Sequence, residues 1–296
     1  MKKLILIALV AIFGVSFAYS QTFVSTDPQP RNVILEEYTG IHCPYCPDGH
    51  RVANELAKTY PGKVFIVNIH TGSFATPAAG ELDLRIPEGA TLDNASGPKS
   101  YPKASVNRAS TPWTTSDRSK WGPLAQGIMN QTSPVNVAVK ASVDKVTREL
   151  SIEVEYYYTS ASSQSMNYLT VMLTQDNIIG TQSGSYYNPE QETIFGTYRH
   201  NHALRMVLSS GGAFGEPINN TAKGATELRK YKVTLPDNIT SIPMEIHRLH
   251  VVAFVAEGQG NIYSGSGCDV EFDENMKADL SLINKTEVPS DMCPTS

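Results

Sequence analysis

Asn32-Val-Ile-Leu-Glu-Glu-Tyr-Thr-Gly-Ile-His-Cys-Pro-Tyr-Cys-Pro-Asp-Gly-His50, followed by Arg51 to Tyr60, is the stretch on which the fold turns. Val33, Ile34 and Leu35 form a short apolar run with β-branched members, which reads as a buried strand. Val52, Ala53, Leu56, Ala57 and Tyr60 recur on one face of a helix. Pro44 and Pro47 suit a first helical turn, where a missing N–H costs little, and Asp48 suits the positive end of the helix dipole. Pro61-Gly62 stops the helix. The spacing therefore predicts a strand, a tight turn and a helix whose first turn carries Cys43 and Cys46. Lys63 to His70 is nearly all apolar, as a central strand covered on both faces should be, and completes a parallel crossover unit.

A thiolate at a helix N-terminus faces unpaired N–H groups and a partial positive charge, so its pKa falls and it becomes nucleophilic near neutral pH. On this reading Cys43 is the exposed, attacking thiol. Cys46, one turn inside, resolves a mixed disulfide on Cys43 by closing the intramolecular bridge. A protonated His42 beside Cys43 would lower the thiol pKa further. A Cys-x-x-Cys pair that opens a helix after a strand is the thioredoxin-type arrangement.

The block from Leu35 to His50 resembles the thioredoxin superfamily in general. More closely, with His200-Asn-His-Ala-Leu-Arg205, it is similar to the twenty-eight-kilodalton outer-membrane protein family of Bacteroidota-type bacteria. That resemblance implies an α/β thioredoxin-like domain followed by an all-β domain, and attachment to the outer membrane. It also implies roles for two further residues. Glu37 stands six residues before the first cysteine, where thioredoxins carry a buried acid that accepts the proton of the second thiol; Glu36 competes for that place. Pro102, in Tyr101-Pro102, matches the cis-proline set opposite the cysteine turn, with Pro98 as a rival. Pro-Tyr between the cysteines is the glutaredoxin-type dipeptide, but nothing in the chain argues for a glutathione site.

Residues 1–21 read as a secretory signal peptide: Lys2 and Lys3, an apolar Leu4 to Val15, then small residues at Ala18 and Ser20. No cysteine follows the apolar run, so an N-terminal lipid anchor is not expected. Export permits disulfides, and the four cysteines are an even number with three possible pairings. The most local set is Cys43–Cys46 with Cys268–Cys293, the second closing a loop of about 25 residues and worth roughly 3 kcal/mol. A net charge of −5 gives no basic patch for nucleic acid.

Residues 22–132 are expected to form the thioredoxin-like domain, with an insertion at about 71–100 holding a helix near Gly89 to Ala95. A helix near Ser119 to Gln131 closes it, and Ser133-Pro134 marks the boundary. From Val135 the pattern changes to alternation, in Asn136 to Ser142, Leu150 to Tyr158, Tyr168 to Thr174, Leu228 to Leu235 and His250 to Ala256. Residues 133–273 thus read as an antiparallel, immunoglobulin-like sandwich, with 274–296 a tail. The strands are too few and too short for a membrane barrel. Asp176 to Gly215 reads as a long polar loop interrupting that sandwich.

His200, His202 and Arg205 make that loop a second candidate site; on a strand the two histidines would share one face. Zinc at Cys43, Cys46, His50 and His70 lacks a second cysteine pair in an oxidising compartment, and His200 with His202 lacks completing ligands, so no metal and no cofactor are expected. Two functions remain. One is thiol–disulfide exchange with protein or peptide thiols and disulfides, in a direction the residues leave open. The other is binding of outer-membrane or cell-surface components by the sandwich, with the cysteine domain as scaffold.

Overall fold

The computed structural model describes residues 22–97, 100–110, 113–194 and 196–273. The expected signal peptide, Pro98, the tail and Cys293 lie outside the described residues.

Among the described residues three α-helices and sixteen strands follow in chain order. The first part holds β1 (Val33–Thr39), α1 (Cys46–Thr59), β2 (Val64–His70), α2 (Pro87–Ala95), β3 (Lys103–Val106) and α3 (Trp121–Met129). Then come β4 (Val135–Val143), β5 (Glu149–Tyr158), β6 (Asn167–Gln175), β7 (Ile178–Gly180), β8 (Tyr198–His200) and β9 (Ala203–Val207). The last are β10 (Glu216–Ile218), β11 (Thr226–Thr234), β12 (Asn238–Ile239), β13 (Ile242–Pro243), β14 (Leu249–Glu257), β15 (Gly260–Asp269) and β16 (Glu271–Phe272). The fold is β-rich.

β1 and β2 are parallel, in register from Val33 opposite Val64 to Thr39 opposite His70, and β3 pairs antiparallel on the other side of β1. All seven residues of β1 are buried. Alternation sorts them: Val33 and Leu35 pack with Ala53 and Leu56 of α1 and with Trp121, Ala125 and Ile128 of α3. Ile34 and Tyr38 pack on the other face, with Leu92 of α2 and Phe254 of β14.

The sheet does not stop at Ser133-Pro134. Its order is β15-β14-β6-β9-β2-β1-β3, with β10 on β6, so strands from both parts of the chain share eight-stranded continuity. The join is β9 against β2, at Asn68 opposite Ala203. There the Asn68 amide donates to the His202 carbonyl at 2.8 Å, and Asn68 Nδ2 to the Asn201 carbonyl at 2.8 Å. A smaller sheet, β11-β5-β4-β16, covers one face. β14 consequently serves two cores: Val251, Ala253 and Val255 face the small sheet, while Val252, Phe254 and Ala256 face Ile34 and Tyr38. A strand covered on both faces has no polar stripe, which is why His250 to Ala256 is almost wholly apolar.

This differs from the long polar loop read between Asp176 and Gly215. That stretch contains β7, β8 and the linking strand β9. β9 is five residues long and follows His202 at φ +54°, so its apolar signal is brief and interrupted.

Glu36 shows what this core does with a charge. Arg108 grips it twice, Nε to Oε2 at 2.7 Å and Nη2 to Oε1 at 2.5 Å, with both side chains fully buried. Trp113 supports the guanidinium, its ring centroid 4.4 Å from Cζ. Arg108→Met would leave the Glu36 carboxylate buried and uncompensated. It is expected to cost about 3–5 kcal/mol in denaturant unfolding, where an exposed ion pair would cost about 1 or less.

Candidate functional site: a covered Cys-Pro-Tyr-Cys bridge

β1 ends in a turn that brings the chain tightly against residues 73–75. A Cβ on Gly40 would lie 2.5 Å from the Phe74 carbonyl carbon, so a side chain does not fit there. The His42 amide donates to the Phe74 carbonyl at 2.9 Å and the Cys43 amide to that of Gly40 at 3.0 Å. The helix then starts one turn later than the spacing predicted. Cys46 is its first residue, Pro47 and Asp48 stand in its first turn, and Cys43 lies in the turn before it. Cys43 and Cys46 are disulfide-bonded.

The expectation of an exposed Cys43 is overturned: Cys43 is 1% exposed and Cys46 0%. Residues 181–188 lie across them. Gln182 Nε2 donates to the carbonyls of Gly40 and Cys43, at 3.2 and 3.1 Å. The Ser183 amide donates to the Ile41 carbonyl at 2.8 Å. Gly184, at φ +69°, sits where an added Cβ would be 1.9 Å from the Pro44 carbonyl oxygen. Tyr187 packs on Tyr45, ring centroids 5.6 Å apart, and Pro44 and Tyr45 at the motif's centre are exposed, Tyr45 at 52%. His42 points away toward Glu81, Nε2 to Oε2 2.9 Å.

Glu37 lies beneath the first turn of α1. An added Cβ on Gly49 would be 2.3 Å from Glu37 Oε1 and 2.8 Å from Pro102 Cβ, so Gly49 lies against both. The Tyr101–Pro102 peptide is cis. Glu37 is fully buried, and neither carboxylate oxygen has a hydrogen-bond partner. Burial pushes its pKa well above the ordinary value, against a smaller pull from Arg118. Glu36, the rival, faces the opposite side of the sheet with Arg108, as alternation requires.

A polar cluster adjoins Glu37. His50 Nε2 is 3.9 Å from Glu37 Oε1 and 2.9 Å from Thr39 Oγ1, and its Nδ1 is 2.8 Å from the Tyr198 hydroxyl. Asn188 Nδ2 donates to that hydroxyl at 3.1 Å. Burial, with His200 and His202 adding to it, pushes the His50 pKa down to about 3. His70 and His200 meet edge to face at 5.4 Å; burial drives His70 well below its usual range and His200 down to about 4.

The second candidate site does not assemble. His200 belongs to β8 and packs on His70, whereas His202 turns at positive φ toward Asp176, Nδ1 to Oδ1 3.5 Å. Arg205 is buried apart from both, donating from Nη2 to the Ile239 carbonyl at 2.9 Å, and burial lowers its pKa to about 10. Among the described residues no group of three or more His, Cys, Asp or Glu is arranged to hold a metal ion. Cys268 is half-buried, its thiol pushed up to about 12 by burial first and by Asp269 and Glu271 after it.

No spacing or periodicity marks Gln182, Gly184, Asn188 or Tyr198, and the sequence offers His50 a role only as a zinc ligand. The available signal was the density of polar and aromatic residues between Gln182 and Tyr198. Nothing in spacing tells which distant motif such a loop will cover.

The fold and site define a β-rich protein with a disulfide-closed Cys-Pro-Tyr-Cys turn roofed by its own chain. The chain belongs to the family described as "Outer membrane protein Omp28", whose sequence model matches residues 90–268. It is therefore an exported protein of the outer membrane or cell surface. The matched span includes His200 to Arg205 and begins after the cysteine motif. No curated protein matches the chain. Among solved structures, HBP35 of Porphyromonas gingivalis is 19% identical with a TM-score of 0.64, over 90% of this chain and 80% of that one. A protein of Agrobacterium tumefaciens is 11% identical with a TM-score of 0.50, over 83% of this chain and 96% of that one. These likenesses concern the fold alone.

Two outcomes follow from the packing. Gly49→Ala gains roughly 1 kcal/mol of helix propensity, yet is expected to destabilise by about 1–3 kcal/mol in thermal unfolding because it drives into Glu37 and Pro102. The buried histidines set a pH dependence. Neutral in the folded state and protonated near 6.5 when unfolded, His200 contributes stability that is complete above 6.5 and is lost as pH falls toward about 4. His200→Gln should flatten the acid limb of the unfolding free energy, from urea titrations, by up to about 1.4 kcal/mol per pH unit. The variant comparison isolates His200 from Glu37 and His250, whose raised pKa values act in the opposite sense.

Proposed function

We propose that the protein carries a thioredoxin-like redox centre and exchanges thiols and disulfides with exported protein or peptide partners. A strand, a Cys-Pro-Tyr-Cys turn, a helix and a parallel strand, with Pro102 against the helix start, support the thioredoxin-like reading of residues 22–132, with a sandwich over 133–273. The observation that carries the proposal is Glu37. An unpartnered buried carboxyl costs several kcal/mol, and a bridge kept only for stability gains nothing from one.

The chemistry balances around that acid. A partner thiolate attacks Cys43 Sγ, forming a mixed disulfide and releasing Cys46 as thiolate. Neutral Glu37 gives that thiolate its proton and becomes a carboxylate. A second partner thiol then displaces Cys43, so the partner leaves oxidised and the bridge reduced; the reverse sequence reduces a partner, with Glu37 taking the proton of Cys46. Attack needs Cys43 uncovered, so residues 181–188 must lift first.

The burial of Cys43 favours a second reading, in which the bridge is structural and the protein binds outer-membrane or cell-surface components. The two separate on trapping and rate. Cys46→Ser leaves Cys43 as a free thiol, which should attack a disulfide-bearing peptide, release one of its sulfurs as thiolate and hold the other as a mixed disulfide that no second cysteine resolves. Glu37→Gln should slow exchange by about 10²-fold while leaving the fold at least as stable. Equal rates for Glu37→Gln and wild type, with nothing trapped by Cys46→Ser, would leave the structural reading.

A further inference from the structure

We infer that residues 181–188 are an autoinhibitory cover that holds the Cys43–Cys46 bridge closed to partner thiols until it is displaced; the inference rests on the exchange reading. The cover donates to the carbonyls of Gly40, Ile41 and Cys43 on the turn that leads to the attacking sulfur; those of Gly40 and Cys43 also accept from the Cys43 and Cys46 amides. Its donors are one side-chain amide, Gln182, and one backbone N–H, Ser183. An extended partner segment brings equivalent N–H donors, so it can replace the cover without stranding those carbonyls.

The attachment is shallow. Thr181, Tyr186 and Tyr187 are exposed, Ser183 to Ser185 are half-buried, and only Gln182 and Asn188 are buried. Gln182 Oε1 has no partner although it is buried, so the latch is itself imperfect. Contacts of this kind, polar and with little apolar area, belong to the least stable units of a fold. At its far end the segment is moored more firmly, by Asn188 to Tyr198 and by Gln191 Oε1 accepting from Asn54 Nδ2 of α1 at 2.9 Å. Residues 181–187 can therefore lift about a fixed mooring on the helix they shield.

Gly184 supplies the test, because a methyl group there would collide with the Pro44 carbonyl oxygen at 1.9 Å, its three nearest atoms all belonging to Pro44. The rate at which dithiothreitol reduces the bridge in the folded protein is measured for wild type, Gly184→Ala and Gln182→Ala. Both variants are expected to be reduced faster than wild type, Gly184→Ala by at least about tenfold, the equivalent of one or two net hydrogen bonds. Circular dichroism should show the fold unchanged, and if Gly184→Ala fails to fold, Gln182→Ala decides. Equal reduction rates in wild type and variants would overturn the cover, even if Cys46→Ser traps a partner. Faster reduction in the variants with no trapped partner would leave the segment a shield over a structural bridge and overturn the exchange reading and the autoinhibitory role with it.

Discussion

Two adjacent carboxyl groups, Glu36 and Glu37, are buried on a strand whose seven residues are all buried, and the strand's alternation sends them to opposite faces. On one face Arg108 neutralises Glu36 through two hydrogen bonds and is itself seated on Trp113. On the other face Glu37 meets Gly49 and, at 3.9 Å, His50, with no cation bonded to it. Arg118, the nearest positive charge acting on it, is hydrogen-bonded to Asp48. The same core thus treats one acid as an ion pair and leaves its neighbour without a hydrogen-bond partner, its pKa raised by burial, under the cysteine turn. On the proposed exchange function, that asymmetry, more than the cysteine motif itself, is what would distinguish a redox site from a structural clip.

The sheet explains how the roof comes to lie over the bridge. Because β9 pairs with β2, the chain between β7 and β9 is delivered to the edge of the strand–helix–strand unit, directly beside the turn at Gly40 to Cys43. Tyr198 and His200 of β8 enter the polar cluster from that same stretch. The two parts of the molecule are therefore coupled through a shared sheet and a shared buried cluster, and the cover is a consequence of the topology rather than an added flap.

Much of the local structure was legible. The β-branched run at Val33, the helical face from Val52 to Tyr60 and the alternation after Val135 all appear as elements, since each carries several residues of period. What was not legible was contact between distant segments. β9 is too short to announce itself, and a parallel pairing leaves no mark on a five-residue strand. The place of Cys43 beside a helix start suggests exposure, an argument local to the motif, whereas Cys43 is buried and Gln182 and Gly184, about 140 residues away in sequence, lie against its turn. His200 and His202 looked like a pair by spacing, but a positive φ at His202 turns them to different surroundings.

The most direct measurement is the protonation state of Glu37 itself, followed by carboxyl carbon NMR with the bridge oxidised and then reduced. The account predicts an acid that is uncharged at neutral pH in the oxidised protein and whose titration shifts when Cys46 becomes a thiol. A Glu37 resonance that is already ionised at neutral pH, and that ignores the state of the cysteines, would contradict it.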